Sequence, residues 1–366
     1  SARAGLPLPR AQLEARRQLR TWLLGALLRS CPDRLIQLAA SGLSARLRRR
    51  ALAAEGDELS AVSAVGRTAL LASVARRAEA FAPVPLFRDE YAELFLSQAF
   101  AASLVPAQLH ILSRAVKDSA AGKDEMPGWL GIGSSTAYVD RQLQEAFAEG
   151  VRQVVILGSG LDCRPLRLEC PEGTRFVEVD EAGVLDFKVQ RLAAAGIAPY
   201  PAHLIRGSYL EMDIHAELGL AGVDSQESVL FLWEANTMYL PTPEAEAFLA
   251  GLLGRYPRSA VLFDYFAAPA ASAADPADGG LLSGDRDLET MVRAVGDSKW
   301  LLIGPWDHEG ARAKLGYEVV EHRSLAEVVL LTRGEELGRE MLERHKRDFE
   351  AGLLASQFFC TVRPGT

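Results

Sequence analysis

The 366-residue chain has only four cysteines, Cys31, Cys163, Cys170 and Cys360, and none forms a Cys-x-x-Cys pair or stands beside a histidine. That argues against a zinc ribbon and against a disulfide framework, and it makes a reducing cytoplasm the expected compartment. The six histidines, at positions 110, 203, 215, 308, 322 and 345, show no His-x-x-x-His or His-x-Glu spacing, so no metal site is expected. Long apolar runs are also missing. The stretch from Trp22 to Leu28 falls far short of the roughly 20 residues that cross a bilayer, and no signal peptide is expected ahead of it. No membrane partner is therefore anticipated, and with 49% hydrophobic and 24% charged residues the composition is that of an ordinary globular protein.

Acidic residues are scarce at the start. Residues 1 to 50 hold eleven arginines against Glu14 and Asp33, a balance of +9, so the remainder carries −17 of the net −8. A basic arm can bind nucleic acid. Here Arg46, Arg48, Arg49 and Arg50 have no interleaved aromatic residues for base stacking, and they are read as solvated helix residues that also pair with the acidic body. No nucleic-acid partner is expected.

What the sequence does contain is a change of pattern near its middle. Spaced apolar residues in "LEARRQLRTWLLGALL", "DRLIQLAASGLSARL", "RTALLASVARRAEAF" and "RDEYAELFLSQAFAASLVPAQLHIL" predict helices, and residues 1–125 are expected to form a helical cap or lid. From Val151 onward seven β-rich runs, "VRQVVIL", "TRFVEVD", "AHLIRGSYL", "SVLFLWE", "SAVLFDYF", "GYEVVEHR" and "SQFFCTVR", alternate with helical ones such as "EAGVLDFKVQRLAAAG", "TPEAEAFLAGLLGRY" and "GEELGREMLERHKRDFEAGLL". Such alternation predicts an α/β domain over 126–366, built on a parallel sheet whose ligands lie beyond the carboxyl ends of the strands. Residues 266–284, rich in Ala, Pro, Gly and Asp, read as a mobile loop over that edge. There is no internal repeat.

Four constellations fall on that edge. Gly158, Ser159, Gly160 and Asp162 follow the first strand, but Cys163 stands where a dinucleotide fingerprint has its third glycine, which weakens a nicotinamide reading. Asp180 closes the second strand, 20 residues after Gly160, with Glu178 two positions before it. A carboxylate at that interval can accept both hydroxyls of a ribose, or it can cap the helix that follows. Met212 and Asp213 lie past the third strand, where an acid can accept the exocyclic amine of adenine or cap a short helix. Glu234, Asn236 and Tyr239 follow the fourth strand in "LFLWEANTMYLP". An acid at a strand end in a cleft is awkward for folding alone, whereas Tyr239 can equally be a core residue.

Taken together and in this order, these motifs resemble the leucine carboxyl methyltransferase family, in particular its bacterial S-adenosylmethionine-dependent O-methyltransferases. The resemblance begins at "VGRTALLASVARRAE" and "PLFRDEYAELF", runs through "VRQVVILGSGLDCRPLRL", "EVDEAGVLDFK" and "EANTMYLP", and extends to "GPWDHEGARAKLGYEVVEH". It implies a class I methyltransferase fold: a Rossmann-like α/β architecture with a seven-stranded, mostly parallel sheet and an antiparallel last strand, preceded by the helical cap. It also implies S-adenosyl-L-methionine as cofactor. Gly158, Ser159 and Gly160 would then approach its methionine end, Glu178 and Asp180 its ribose, Asp213 its adenine and Glu234 its amine, with Asp162 and Met212 also among the cofactor-binding residues. The family usually has Arg-Thr ahead of the first strand, the arginine gripping the cofactor carboxylate; here Ser135 and Thr136 stand there.

The resemblance implies methyl transfer to a small-molecule acceptor, with Tyr239 and Asn236 as the catalytic pair that orients it. A carboxylate or acidic hydroxyl is favoured because no histidine lies in the matched motifs to serve as a base. A secondary metabolite is the expected acceptor class, and a monomer or homodimer the expected assembly. The competing readings are a nicotinamide-dependent oxidoreductase, a protein that keeps this fold without methylating, and an RNA methyltransferase.

Overall fold

The computed structural model describes residues 64–80, 84–96, 127–267, 308–351 and 353–365. The chain divides into two units, and all of these residues lie in the one formed by Glu55–Ser97 and Pro127–Thr366. Its runs of Val, Ile, Leu and Phe suit a pleated surface buried on both faces. They form β1 (Gln153–Leu157), β2 (Arg175–Asp180), β3 (His203–Arg206), β4 (Val229–Trp233), β5 (Ser259–Phe266), β6 (Glu318–Ser324) and β7 (Gln357–Arg363).

These strands make one seven-stranded sheet in the order β3-β2-β1-β4-β5-β7-β6. The first five are parallel, in registers such as Val155 opposite Val177 and Phe231 opposite Val261. β7 runs antiparallel to both of its neighbours, with Cys360 opposite Phe263 on one side and His322 on the other. The seven-stranded, mostly parallel sheet with an antiparallel last strand that the resemblance implies is the one observed. Strand order reverses between β1 and β4, and at such a switch point a crevice opens beyond the carboxyl ends.

Alternate residues of each strand serve opposite faces. Val155, Leu157, Phe231, Trp233 and Phe263 pack against Ile214 and Leu218 of α5 (Ile214–Leu220) and Leu249 and Leu252 of α6 (Thr242–Arg255). Val154, Ile156, Leu230, Leu232 and Leu262 pack against Tyr138, Val139 and Leu143 of α2 (Pro127–Ala148) and Leu325 and Val328 of α8 (Leu325–Arg333). The remaining described helices are α1 (Ala64–Glu79), α3 (Arg164–Arg167), α4 (Ala182–Ala194), α7 (His308–Leu315), α9 (Glu335–Arg344) and α10 (Lys346–Ala351). None of the helices among the described residues is long and apolar enough to cross a membrane.

Two expectations change. Where a helix is expected from residue 88, Asp89 Oδ1 accepts the N–H groups of Tyr91 and Ala92, and a single 3-10 turn follows at Ala92–Phe95. The helix expected over 334–354 is divided, because His345 leaves helical geometry (φ −110°, ψ 27°) between α9 and α10. α8 continues from β6 through a capping box in which the Ser324 hydroxyl accepts the Glu327 N–H and the Glu327 carboxylate accepts the Ser324 N–H. Residues 1–63 and 97–125 of the expected helical region, and most of the 266–284 loop, lie outside the described residues.

Candidate functional site

The turn after β1 is shaped by its own neighbours. Gly158 and Gly160 both adopt left-handed backbone angles, φ 61° and 51°. A Cβ on Gly158 would overlap the Asn236 carboxamide, and one on Gly160 would lie 3.0 Å from Ala69 of α1. The loop amides turn towards β2: Gly158 and Ser159 N–H both donate to Val179 O (2.8 and 3.2 Å), and Gly160 N–H donates to Asp180 Oδ2 (2.6 Å). A pyrophosphate cradle needs such amides unengaged, and here all three have partners.

Asp180 stands at the tip of β2. Its Oδ1 accepts the N–H of Glu181 (2.7 Å), so its two oxygens each hold one backbone amide. Each carboxylate oxygen has a second lone-pair site, which leaves room for two hydroxyls. Burial raises its pKa against the opposing pull of the Gly160 and Glu181 amides. It does not cap α4, whose N-cap is Glu181 and has no side-chain cap bond.

Glu178 differs. It is fully buried, Lys188 Nζ of α4 lies 2.6 Å from Oε2, and the Tyr200 hydroxyl donates to Oε1 at 2.5 Å. Both oxygens serve a buried structural pair beneath α4, which corrects the expectation that Glu178 faces a ribose. Burial raises its pKa, with Lys188 opposing.

Beyond β4 the turn is held on several sides. Arg164 of α3 places Nη1 2.8 Å from Glu234 Oε2, its Nε donates to Asp140 Oδ1 (2.8 Å), and its backbone N–H donates to Asp162 Oδ1 (2.7 Å). Arg167 joins it on Asp140 through Nη2 (2.8 Å). Burial alone would raise the Asp162 pKa, but Arg164, Arg76, Arg167 and Lys188 together hold it well below the carboxylate range. Asp162 is thus an ion-pair partner inside the protein. Three carboxylates, Asp140, Asp162 and Glu234, face two guanidiniums, and Glu234, with 24% of its side chain exposed, presents the excess negative charge at the sheet edge.

Asn236 donates through Nδ2 to Leu157 O, Gly158 O (both 3.2 Å) and Glu234 O (2.7 Å). Its carboxamide latches the turns after β1 and β4 together, which corrects its expected role as an acceptor-orienting group. Tyr239 ends the 3-10 turn Thr237–Tyr239, half-buried, its N–H donating to Asn236 O (3.0 Å).

Asp213 caps α5 by accepting the Ala216 N–H (3.1 Å) and is exposed. Met212 is half-buried, its Cε against Gly207. The Ser135 hydroxyl donates to Ile132 O of its own helix (3.0 Å), and Thr136 is buried one turn before Asp140. The Ser134 and Ser159 hydroxyls are buried without a hydrogen-bond partner. An orphaned hydroxyl in the turn after β1 fits a site that a polar ligand completes.

Sequence reasoning missed Asp140, Arg164, Arg167, Lys188 and Tyr200, which fix the acids it did find. It also missed Asp264 of β5, buried, whose Oδ1 accepts the Ala235 N–H (2.6 Å). An acid interrupting the apolar run "VLFDYF" was the available signal.

A mostly parallel sheet with an acidic crevice at its switch point, beside a turn in which the Gly158, Ser159 and Gly160 amides are all engaged, defines a Rossmann-like α/β protein. The chain belongs to the leucine carboxyl methyltransferase family, whose model matches residues 69–253. A protein of Mycobacterium sp. (strain KMS), proposed to be an S-adenosyl-L-methionine-dependent methyltransferase, is 34% identical over 205 residues, which are 54% of this chain and 66% of that one. A protein of Mycobacterium avium (strain 104), with the same proposed activity, is 35% identical over 52% of this chain and 63% of its own. The matched region therefore spans just under two thirds of these relatives. Among solved structures, a DUF574 family protein from Streptomyces avermitilis has a TM-score of 0.44 and 15% identity over 69% of this chain and 90% of that one.

Proposed function

We propose that the protein is an S-adenosyl-L-methionine-dependent O-methyltransferase that acts on a carboxylate or acidic hydroxyl of a small molecule, with a secondary metabolite as the acceptor class. The observation that carries this reading is the pairing of Asp180 with a glycine turn whose amides are engaged by β2. That arrangement suits a ribose attached to an amino acid and leaves no cradle for a pyrophosphate.

Asp180 would hold the ribose hydroxyls and Asp213 with Met212 the adenine. Glu234 would receive the cofactor ammonium, aided by the surplus negative charge around Arg164, while the Ser159 hydroxyl and Thr136 would serve the methionine end. When bound, the cofactor would supply a methyl group on a sulfonium sulfur, so that an ionised acceptor oxygen would bond the methyl carbon as the C–S bond breaks and S-adenosylhomocysteine leaves. The protein's share is alignment and the exclusion of water, with Tyr239 bordering the acceptor. An acceptor already ionised at neutral pH needs no base.

Incubation with methyl-labelled cofactor and a panel of aromatic and aliphatic carboxylic acids, phenols and enols is the test. The expected outcome is base-labile label on a carboxylic acid or stable label on an acidic hydroxyl. Label recovered only on amines or RNA would overturn the acceptor assignment.

A further inference from the structure

Asp264 is almost completely buried near the carboxyl end of β5, and nothing in the transfer described above uses it. Its Oδ1 accepts the Ala235 N–H at 2.6 Å, and its Oδ2 accepts the Gln357 side-chain amide of β7 at 2.9 Å. The Thr237 hydroxyl donates to its backbone oxygen. Ala235 is the one described non-glycine residue with a positive φ, 55°, and it lies between Glu234 and Asn236. A residue with a Cβ resists that conformation, so something must hold it there. The short bond from a buried carboxylate does so.

We propose that Asp264 is a positioning residue for the cofactor end of the site: by holding the Ala235 N–H it fixes the left-handed turn that aims Glu234 and Asn236, most firmly when ionised. The inference rests on the reading in which Glu234 receives the cofactor ammonium. A charge-assisted hydrogen bond is stronger than a neutral one, so loss of the Asp264 charge loosens the turn. Burial first, and then the neighbouring Glu234 charge, push the Asp264 pKa up to about 7 against the lowering pull of Ala235 and Gln357. Glu234 is the charged group facing it from the β4 turn, with Arg164 on the far side of Glu234, while β7 contributes the neutral Gln357 and the 3-10 turn the Thr237 hydroxyl. A bound cation favours the ionised form, so by linkage affinity rises as pH rises through the Asp264 pKa and weakens as pH falls through it.

The experiment is titration calorimetry of the full chain with S-adenosylhomocysteine from pH 6 to 8.5, with circular dichroism to confirm folding. The wild-type Kd is expected to tighten roughly fivefold across that range as Asp264 ionises. Asp264→Asn keeps an oxygen for the Ala235 N–H but cannot ionise, and its Kd should lose that dependence. Gln357→Leu removes a group that stabilises the charge, and it should move the midpoint to higher pH. This second variant decides the matter if Asp264→Asn does not fold. A wild-type Kd that is flat with pH, or an unchanged pH curve in Asp264→Asn or Gln357→Leu, overturns the proposal while leaving the cofactor reading intact. Absence of binding at every pH overturns the cofactor reading itself.

Discussion

Ala235 occupies a conformation that costs an L-residue about 1 to 2 kcal/mol and that glycine adopts freely. Ala235→Gly should therefore raise stability by about 1 kcal/mol after the entropy lost by glycine is deducted. Chemical denaturation with an unchanged m-value checks this, and a loss of stability would mean that the turn is not strained. The same scale explains which acids could be read in advance. Glu178 and Asp180 share one side of β2 by the two-residue period, so the sequence cannot tell them apart. Only the fold shows that Glu178 lies under α4, next to Lys188, whereas Asp180 clears the sheet edge and meets Gly160. Asn236 was readable as a polar residue near the site. Its role as a latch depends on Leu157 and Gly158, nearly eighty positions away, which no local pattern encodes.

At the scale of elements, α1 is fastened to the far end of the chain. Arg333, the last residue of α8, donates through Nη1 and Nη2 to the two oxygens of Glu79 (3.0 and 2.7 Å), with 2% and 5% of the side chains exposed. Glu79 also accepts the Leu86 N–H, and Gly133 of α2 leaves the space that the carboxylate fills. Removing one member strands a buried charge, so Arg333→Ala should cost about 3 to 5 kcal/mol. Hydrogen exchange should locate the damage in residues 64–79. Unchanged protection there would show that α1 is held by packing alone. The carboxyl end of α1 also carries Arg76, which donates to Leu161 O (2.9 Å), so loosening this helix should disturb the glycine turn. All seven strands were legible because their β-branched and aromatic runs are short and bounded by polar residues. α8 was not, since "LAEVVLLTR" follows β6 without a break and a short apolar run does not separate helix from strand.

For the whole molecule, the net −17 outside the first fifty residues has a local counterpart at the carboxyl edge of the sheet. Asp180, Asp213 and Glu234 line that edge after β2, β3 and β4, beside a glycine turn whose amides are engaged. Anionic walls favour a ligand that carries an ammonium and a sulfonium over one that carries two phosphates. Ser135, which stands where the resemblance leads one to expect an arginine, bonds its own helix through its hydroxyl. Cofactor affinity should therefore rest on the ribose and ammonium contacts. Calorimetric titration of wild-type protein and Asp180→Ala with S-adenosylhomocysteine and with NAD measures this directly. Binding of S-adenosylhomocysteine and not of NAD is expected, with about 2 to 3 kcal/mol of that affinity lost in a folded Asp180→Ala variant. Binding of NAD alone, or an Asp180→Ala variant with undiminished affinity, would contradict it.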